Sequence, residues 1–387
     1  MPRTSATLDP EWSLLLAACA ALPREEKLDR IRLLVREPIR WKLLFDLAER
    51  HGTLPLLHQA LLGFEEVVPP EEMRSLKQTY QTNLHKALFL SRELIRILER
   101  LSALGIEVMP YKGLALAEVA YGDIALRQAG DIDLLIRPQD FPRIRDAVHG
   151  LGYTPHVSFS EAEERAYLKS GYECAFDGAA GRNLLEVQWA IQPRFYAVDM
   201  DMNGLFDRAV TVTVAGQPMK TPSSADLLLV LTAHAAKHVW GRLVWLCDIA
   251  RVMNLPTLDW DWIGAQAREL GIVRILRVTM LLANRLLSAT IPGAAQVCLA
   301  EDPAALTLAQ EIQHHITSET AFDVESLAYF RLMLHLRERP ADRMRFVTRL
   351  VFTPGPSEWK AIRMPRPLFP LYRLVRLSRL AARLVRS

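Results

Sequence analysis

The chain has 387 residues, half of them hydrophobic and 24% charged, with a net charge of +3. That is long enough for more than one core and ordinary for a globular protein. The charge is uneven: from Lys360 onward stand one lysine, seven arginines and no acid, which leaves the remainder at −5. The basic balance belongs to a tail, so no nucleic-acid-binding face is expected on the body. Cys19, Cys174, Cys247 and Cys298 form no CxxC or Cys/His cluster, which argues against a structural zinc or a disulfide framework and fits a reducing compartment. The apolar run from Leu14 to Ala21 is too short to span a bilayer and lacks signal-peptide flanks, so the expected location is cytoplasmic.

In chain order, residues 1–104 read as an N-terminal helical region. Apolar residues recur at helical spacing over Trp41–Ala48 and Leu54–Leu62. Glu71–Leu104 predicts one long helix, started by Pro69 and Pro70 and stopped by Gly105. Residues 105–221 change character. A strand over Ile106–Tyr111 meets a small-residue helix, Leu114–Tyr121, through Lys112-Gly113. A loop over Gly122–Gly130 precedes a strand, Asp131–Ile136, and a helix, Pro138–Gly150. Tyr172–Phe176 and Leu184–Ile191 read as strands joined by a glycine-rich turn. Val210–Val214 and Met219–Thr221 read as a hairpin around Ala215-Gly216-Gln217. Residues 222–352 are again helical, with Ser223 or Ser224 capping the first helix. Residues 353–387 form a Pro-rich strap and a basic amphipathic tail. The fold class is α+β and rich in helix: a mixed sheet core flanked by N-terminal and C-terminal helical regions.

The chemistry centres on Asp131 and Asp133. On a strand they share a face, and two carboxylates that close repel unless a cation sits between them. Mg²⁺ suits carboxylate oxygens and shares its remaining positions with phosphates; Mn²⁺ is the alternative. Glu186 supplies a third acid if its strand pairs beside the first. Three converging carboxylates fit two-metal phosphoryl or nucleotidyl transfer, with the third also able to accept a proton. Lys112-Gly113, at a strand-to-helix turn, offers backbone N–H groups and a point charge to phosphate, and Arg127 offers a second cation. Arg127 could equally form a structural ion pair with Asp123 or Asp131.

Lys112-Gly113, Arg127, Gly130-Asp131-Ile132-Asp133-Leu134-Leu135, Gly152-Tyr153 and Leu185-Glu186-Val187-Gln188-Trp189 together resemble the uncharacterised nucleotidyltransferase family of the DNA polymerase β superfamily. So do His234-Ala235-Ala236-Lys237-His238, Arg242–Ile249 and the close with Trp359, Pro365 and Tyr372–Arg376. The likeness covers most of the chain. It implies a nucleotidyltransferase fold and, for active members, transfer of a nucleoside monophosphate with release of pyrophosphate. Two positions depart from the pattern. Lys112-Gly113 stands where the wider superfamily carries Gly-Ser, and Gln188 stands where the subfamily usually places His.

His234 and His238 are four apart on a helix, but residue 235 is Ala, so the HExxH metalloprotease motif is absent. His234, Lys237 and His238 are expected to face the cleft and contact phosphate or base. Four of the five arginines of 371–387 cluster on one face of a predicted helix; its leucines are expected to pack on the chain's own body, with an anionic membrane or an acidic partner as the alternative. The reading is therefore a transferase that uses an NTP, with ATP expected, and moves its NMP to a hydroxyl of a small molecule, peptide or protein. The alternatives are an Asp-x-Asp glycosyltransferase using a nucleotide-sugar, and a nucleotide-binding scaffold without turnover.

Overall fold

The computed structural model describes residues 8–386 apart from 299–301, 320–322, 324–325, 354–361, 363 and 365. Helices α1 (Pro10–Cys19), α2 (Arg24–Leu34), α3 (Trp41–Arg50) and α4 (Leu54–Leu61) open the chain, and α5 (Pro70–Ala103) follows as one rod of 34 residues. Proline's fixed φ suits the first turn of α5, and Gly105 leaves it at φ +65°. Ala87, Leu90, Leu94, Ile97 and Leu101 recur along α5 at three- and four-residue steps and are buried, as a one-stripe helix requires.

The α/β segment comprises β1 (Val108–Pro110), α6 (Gly113–Tyr121), β2 (Ile132–Ile136), α7 (Phe141–Gly150), β3 (Thr154–Pro155), α8 (Glu161–Ser170), β4 (Glu173–Asp177), β5 (Leu184–Gln188), α9 (Met202–Asp207) and the hairpin β6 (Val210–Val214) and β7 (Gln217–Thr221). The main sheet has the order β1-β2-β5-β4-β3. Only β2 and β5 run parallel in it; the other neighbours are antiparallel. The strand expected over Ile106–Tyr111 contracts to three residues. Helices α8 and α9 occupy stretches that the periodicity left unassigned. A capping box holds α8 locally: the Ser160 hydroxyl accepts from the Glu163 N–H, and the Glu163 carboxylate accepts from the Ser160 N–H.

The rest is helical: α10 (Ser224–Lys237), α11 (Leu243–Val252), α12 (Trp260–Leu270), α13 (Val273–Leu287), α14 (Gly293–Cys298), α15 (Pro303–Thr317), α16 (Leu327–His335), α17 (Pro340–Phe352) and α18 (Tyr372–Arg386). Ser223 caps α10 by accepting the Asp226 N–H. The largest core joins α1–α4 to α10–α17. A second core lies between the sheet, α5 and α7. An amphipathic helix cannot bury its stripe alone, so the two helical ends of the chain complete each other. The tail docks on the chain itself: Tyr372 is buried, and Arg376 Nε donates to the Leu350 carbonyl at 2.7 Å. The side chains of Arg383 and Arg386, part of the expected basic face, lie outside the described residues. No helix among the described residues is long and apolar enough to cross a membrane.

One clamp secures the N-terminal helices. Glu11 is 1% exposed and accepts from Arg40 N, Nε and Nη2 at 2.8, 3.0 and 2.9 Å. Those bonds hold its carboxyl down at about 2, against an ordinary 4.5. A carboxyl depressed by folding contributes stability above its unfolded value and loses it as pH falls toward the folded one. Glu11→Gln is expected to cost about 1.5–3 kcal/mol at neutral pH. The gap between the two melting temperatures should close from pH 4.5 down to about 2; a gap that is independent of pH contradicts the clamp.

Candidate functional site

The site is assembled where β1 hands the chain to α6. Gly113 has φ +53°, and a Cβ there would stand 3.2 Å from the Asp131 carbonyl oxygen. Glycine is what lets this turn lie against the start of β2. The loop entering β2 is pinned from α5: Asn83 Oδ1 accepts the Ala129 N–H at 2.8 Å, and its amide donates to the carbonyls of Ala125 and Arg127.

Parallel pairing sets Asp133 directly opposite Glu186. Asp131, Asp133 and Glu186 each offer an oxygen within 4.8 Å of the others. The convergence expected of these three positions is present. The donors are hard oxygens on a polar cleft wall, the set that Mg²⁺ or Mn²⁺ takes. Burial, then the Asp133 charge, pushes the Asp131 carboxyl upward; burial, then Glu173, does the same to Glu186. Ionised together, these groups need a cation.

Lys112 reaches into that cluster. Its Nζ lies 2.6 Å from Asp133 Oδ1 and 4.0 Å from Glu186 Oε2. Burial alone would lower its pKa, but the attraction of Asp133, Tyr111 and Glu186 prevails and holds it well above the ordinary lysine value. Gln188, 1% exposed, lies behind the acids. Its Oε1 accepts from the Tyr111 hydroxyl at 2.5 Å, which aims Nε2 at Glu186 (2.9 Å), Glu173 (3.2 Å) and Asp133 (3.3 Å). A glutamine here donates to the acids without adding charge.

A cleft of about 400 Å³ opens over the cluster. Lys112, Arg127, Asp131, Asp133, Glu186, His234, Lys237 and His238 all line it. Arg127, however, spends its guanidinium on Asp248 of α11: Nε lies 3.1 and 3.2 Å from the two carboxylate oxygens and Nη2 lies 3.1 Å away. Its ion-pair partner is therefore neither Asp123 nor Asp131, and the Tyr121 hydroxyl donates to the same carboxylate at 2.7 Å. His234 and His238 pack against each other and against Trp245. Burial, then Lys237, holds His238 down at about 3; burial, then Lys112, holds His234 well below the ordinary imidazole range. Both shifts favour the neutral ring, which can donate and accept. Lys237 Nζ lies 3.3 Å from the Tyr172 hydroxyl and 4.6 Å from the centre of that ring.

Sequence reasoning missed Glu173, Tyr172, Arg242 and Trp245 on the same walls. Glu173 could have been found only from register: it pairs with Gln188, and Ala175 with Glu186, so it shares the acidic face of the sheet.

A family profile described as uncharacterised nucleotidyltransferase matches residues 37–288. No curated protein and no solved structure matches the chain. The matched span runs from α3 to the end of α13 and includes each of the three carboxylates, the Lys112-Gly113 turn and the α10 histidines. With that match over more than half its length and three acids brought to one cleft, the chain belongs to the uncharacterised nucleotidyltransferase family.

Proposed function

We propose that this protein transfers a nucleoside monophosphate, AMP from ATP, to an acceptor hydroxyl with release of pyrophosphate. The observation that carries the reading is the meeting of Asp131, Asp133 and Glu186 within 4.8 Å at the floor of a cleft that basic side chains also line. Mg²⁺, or Mn²⁺, would be held at this carboxylate cluster and would supply Lewis-acid polarisation of phosphoryl oxygens. The chain's own groups do the rest. Glu186, with its raised pKa, takes the proton of the acceptor hydroxyl. The acceptor oxygen forms a bond to the α-phosphorus as the bond from that phosphorus to the bridging oxygen breaks, and the pair leaves with pyrophosphate. The Gly113 turn and Lys237 lie on the phosphate side, and Lys112, from the same turn, pairs with Asp133 beside them. The neutral His234 and His238 can hydrogen-bond phosphate or base, and Trp245 and Tyr172 offer faces for stacking. Arg127 acts on this wall through Asp248, keeping the loop before β2 against α11. The helical wall from α10 and α11 shapes the acceptor end. Small-molecule, peptide and protein hydroxyls are the candidate acceptors, in a cytoplasmic setting.

Incubation of the full chain with α-labelled NTPs, Mg²⁺ and cell extract tests this. Labelled acceptor and pyrophosphate are expected with ATP. Absence of label with every NTP in Mg²⁺ and in Mn²⁺, from folded protein, would refute it. One observation favours a second reading: the Lys112 ammonium already compensates part of the acidic charge, as a nucleotide-binding scaffold would allow. Calorimetry that shows ATP binding with no pyrophosphate release selects the scaffold. The mixed sheet and the helical opening argue against the glycosyltransferase alternative.

A further inference from the structure

We propose that Lys112 is a built-in cation of the carboxylate cluster, so that the site takes a single divalent ion, carried in with the nucleotide, where this chemistry ordinarily uses two. The inference rests on the nucleotidyltransferase reading and specifies how many ions it involves.

Two of the three acids already share an ammonium. Lys112 Nζ lies 2.6 Å from Asp133 and 4.0 Å from Glu186, and the side chain is 11% exposed. A divalent ion bridging the same two carboxylates would need the space that the ammonium fills, since its oxygens must approach to about 2.0–2.1 Å for Mg²⁺. The root of the side chain is fixed. Lys112 is the N-cap residue of α6, and Gly113 holds that turn against the Asp131 carbonyl. The stem starts from Tyr111, which is 1% exposed and bonded to Gln188, with Nζ 5.1 Å from the Tyr111 ring centre. The Gln188 amide takes up further acceptor capacity on the same two acids.

The remaining capacity lies on the other side. Asp131 has no side-chain partner among the described residues and opens onto the cleft. An ion arriving on a triphosphate would be held first by Asp131, on the cleft side of the Lys112–Asp133 pair. Lysine in this role is a compact point charge that needs no loading from solution.

The test counts ions and does not depend on turnover. The full chain is saturated with an ATP analogue carrying a methylene group between the α- and β-phosphorus atoms. Bound Mn²⁺ per chain is then read from the electron paramagnetic resonance signal of free Mn²⁺. One ion is expected for the wild type and for Lys112→Arg, and two for Lys112→Met, which keeps the stem and loses the charge. Mn²⁺ without nucleotide should also raise the melting temperature of Lys112→Met more than that of the wild type, because the vacated acid pair gains a ligand. Two ions in the wild type, or one in folded Lys112→Met, overturns the assignment and leaves the transferase reading standing. If Lys112→Met does not fold, the wild-type and Lys112→Arg counts decide alone. No nucleotide-dependent Mn²⁺ in the wild type overturns both.

Discussion

Asp131→Asn is expected to reduce nucleotidyl transfer about a thousandfold or more while leaving the fold as stable as before, or slightly more so. Charge stabilisation at a phosphoryl centre is worth several kcal/mol, and about 4 kcal/mol corresponds to three powers of ten in rate. Stability moves the other way because of where the residue sits. Its carboxylate has no side-chain partner among the described residues, and burial and the Asp133 charge push its pKa above the ordinary 3.8. A carboxyl whose folded-state pKa is raised binds its proton more tightly when folded. The protein therefore loses stability as pH rises from about 3.8 through the raised value. A neutral amide removes that loss. Activity and melting temperature measured on one preparation check both halves: full turnover, or a fall of several degrees at neutral pH, sinks the assignment. Asp133→Asn is a poorer probe, because it also strips Lys112 of its nearer partner.

Asp248→Asn should give the opposite pattern, a stability loss of about 3–5 kcal/mol. Asp248 is fully buried, and its carboxylate receives Nε and Nη2 of Arg127 as well as the Tyr121 hydroxyl. Asparagine fits the space and still accepts from Tyr121, but it leaves the Arg127 guanidinium, 11% exposed, without its counter-charge. Removing one member of a buried pair strands the other, which is the expensive case; replacing both with apolar groups of similar volume is far milder. Arg127→Met combined with Asp248→Leu should therefore cost less than the sum of the single changes. Denaturant unfolding of the four proteins checks this. The same series fixes what Arg127 does. A tenfold loss of ATP affinity in Arg127→Met with no loss of stability would place that guanidinium on the phosphates after all.

Much of this site is legible in one dimension because its determinants are local. Asp131 and Asp133 share a face through strand alternation, Gly113 marks a tight turn at positive φ where a side chain is strained, and the α5 stripe and the Ser223 cap follow from helical period and capping chemistry. Glu186 was locatable as an acid on a strand, but its place beside Asp133 depended on β5 pairing parallel to β2 across fifty residues of intervening chain, which no local pattern encodes. The same holds more strongly for Glu173, whose role appears only through its register with Gln188. Arg127 illustrates the limit. A guanidinium near paired acids invites a phosphate reading, yet its partner comes from α11, 121 residues away. Lys112 lay at the right turn, but only packing decided that a flexible ammonium points into the acids. Amino-acid order alone determined which segments curl or extend and which faces they show, because hydrophobic period and turn chemistry act over a few residues. Tertiary structure decided which charge answers which, because buried ions pair with whatever the folded chain brings within a few ångströms, at any distance in sequence.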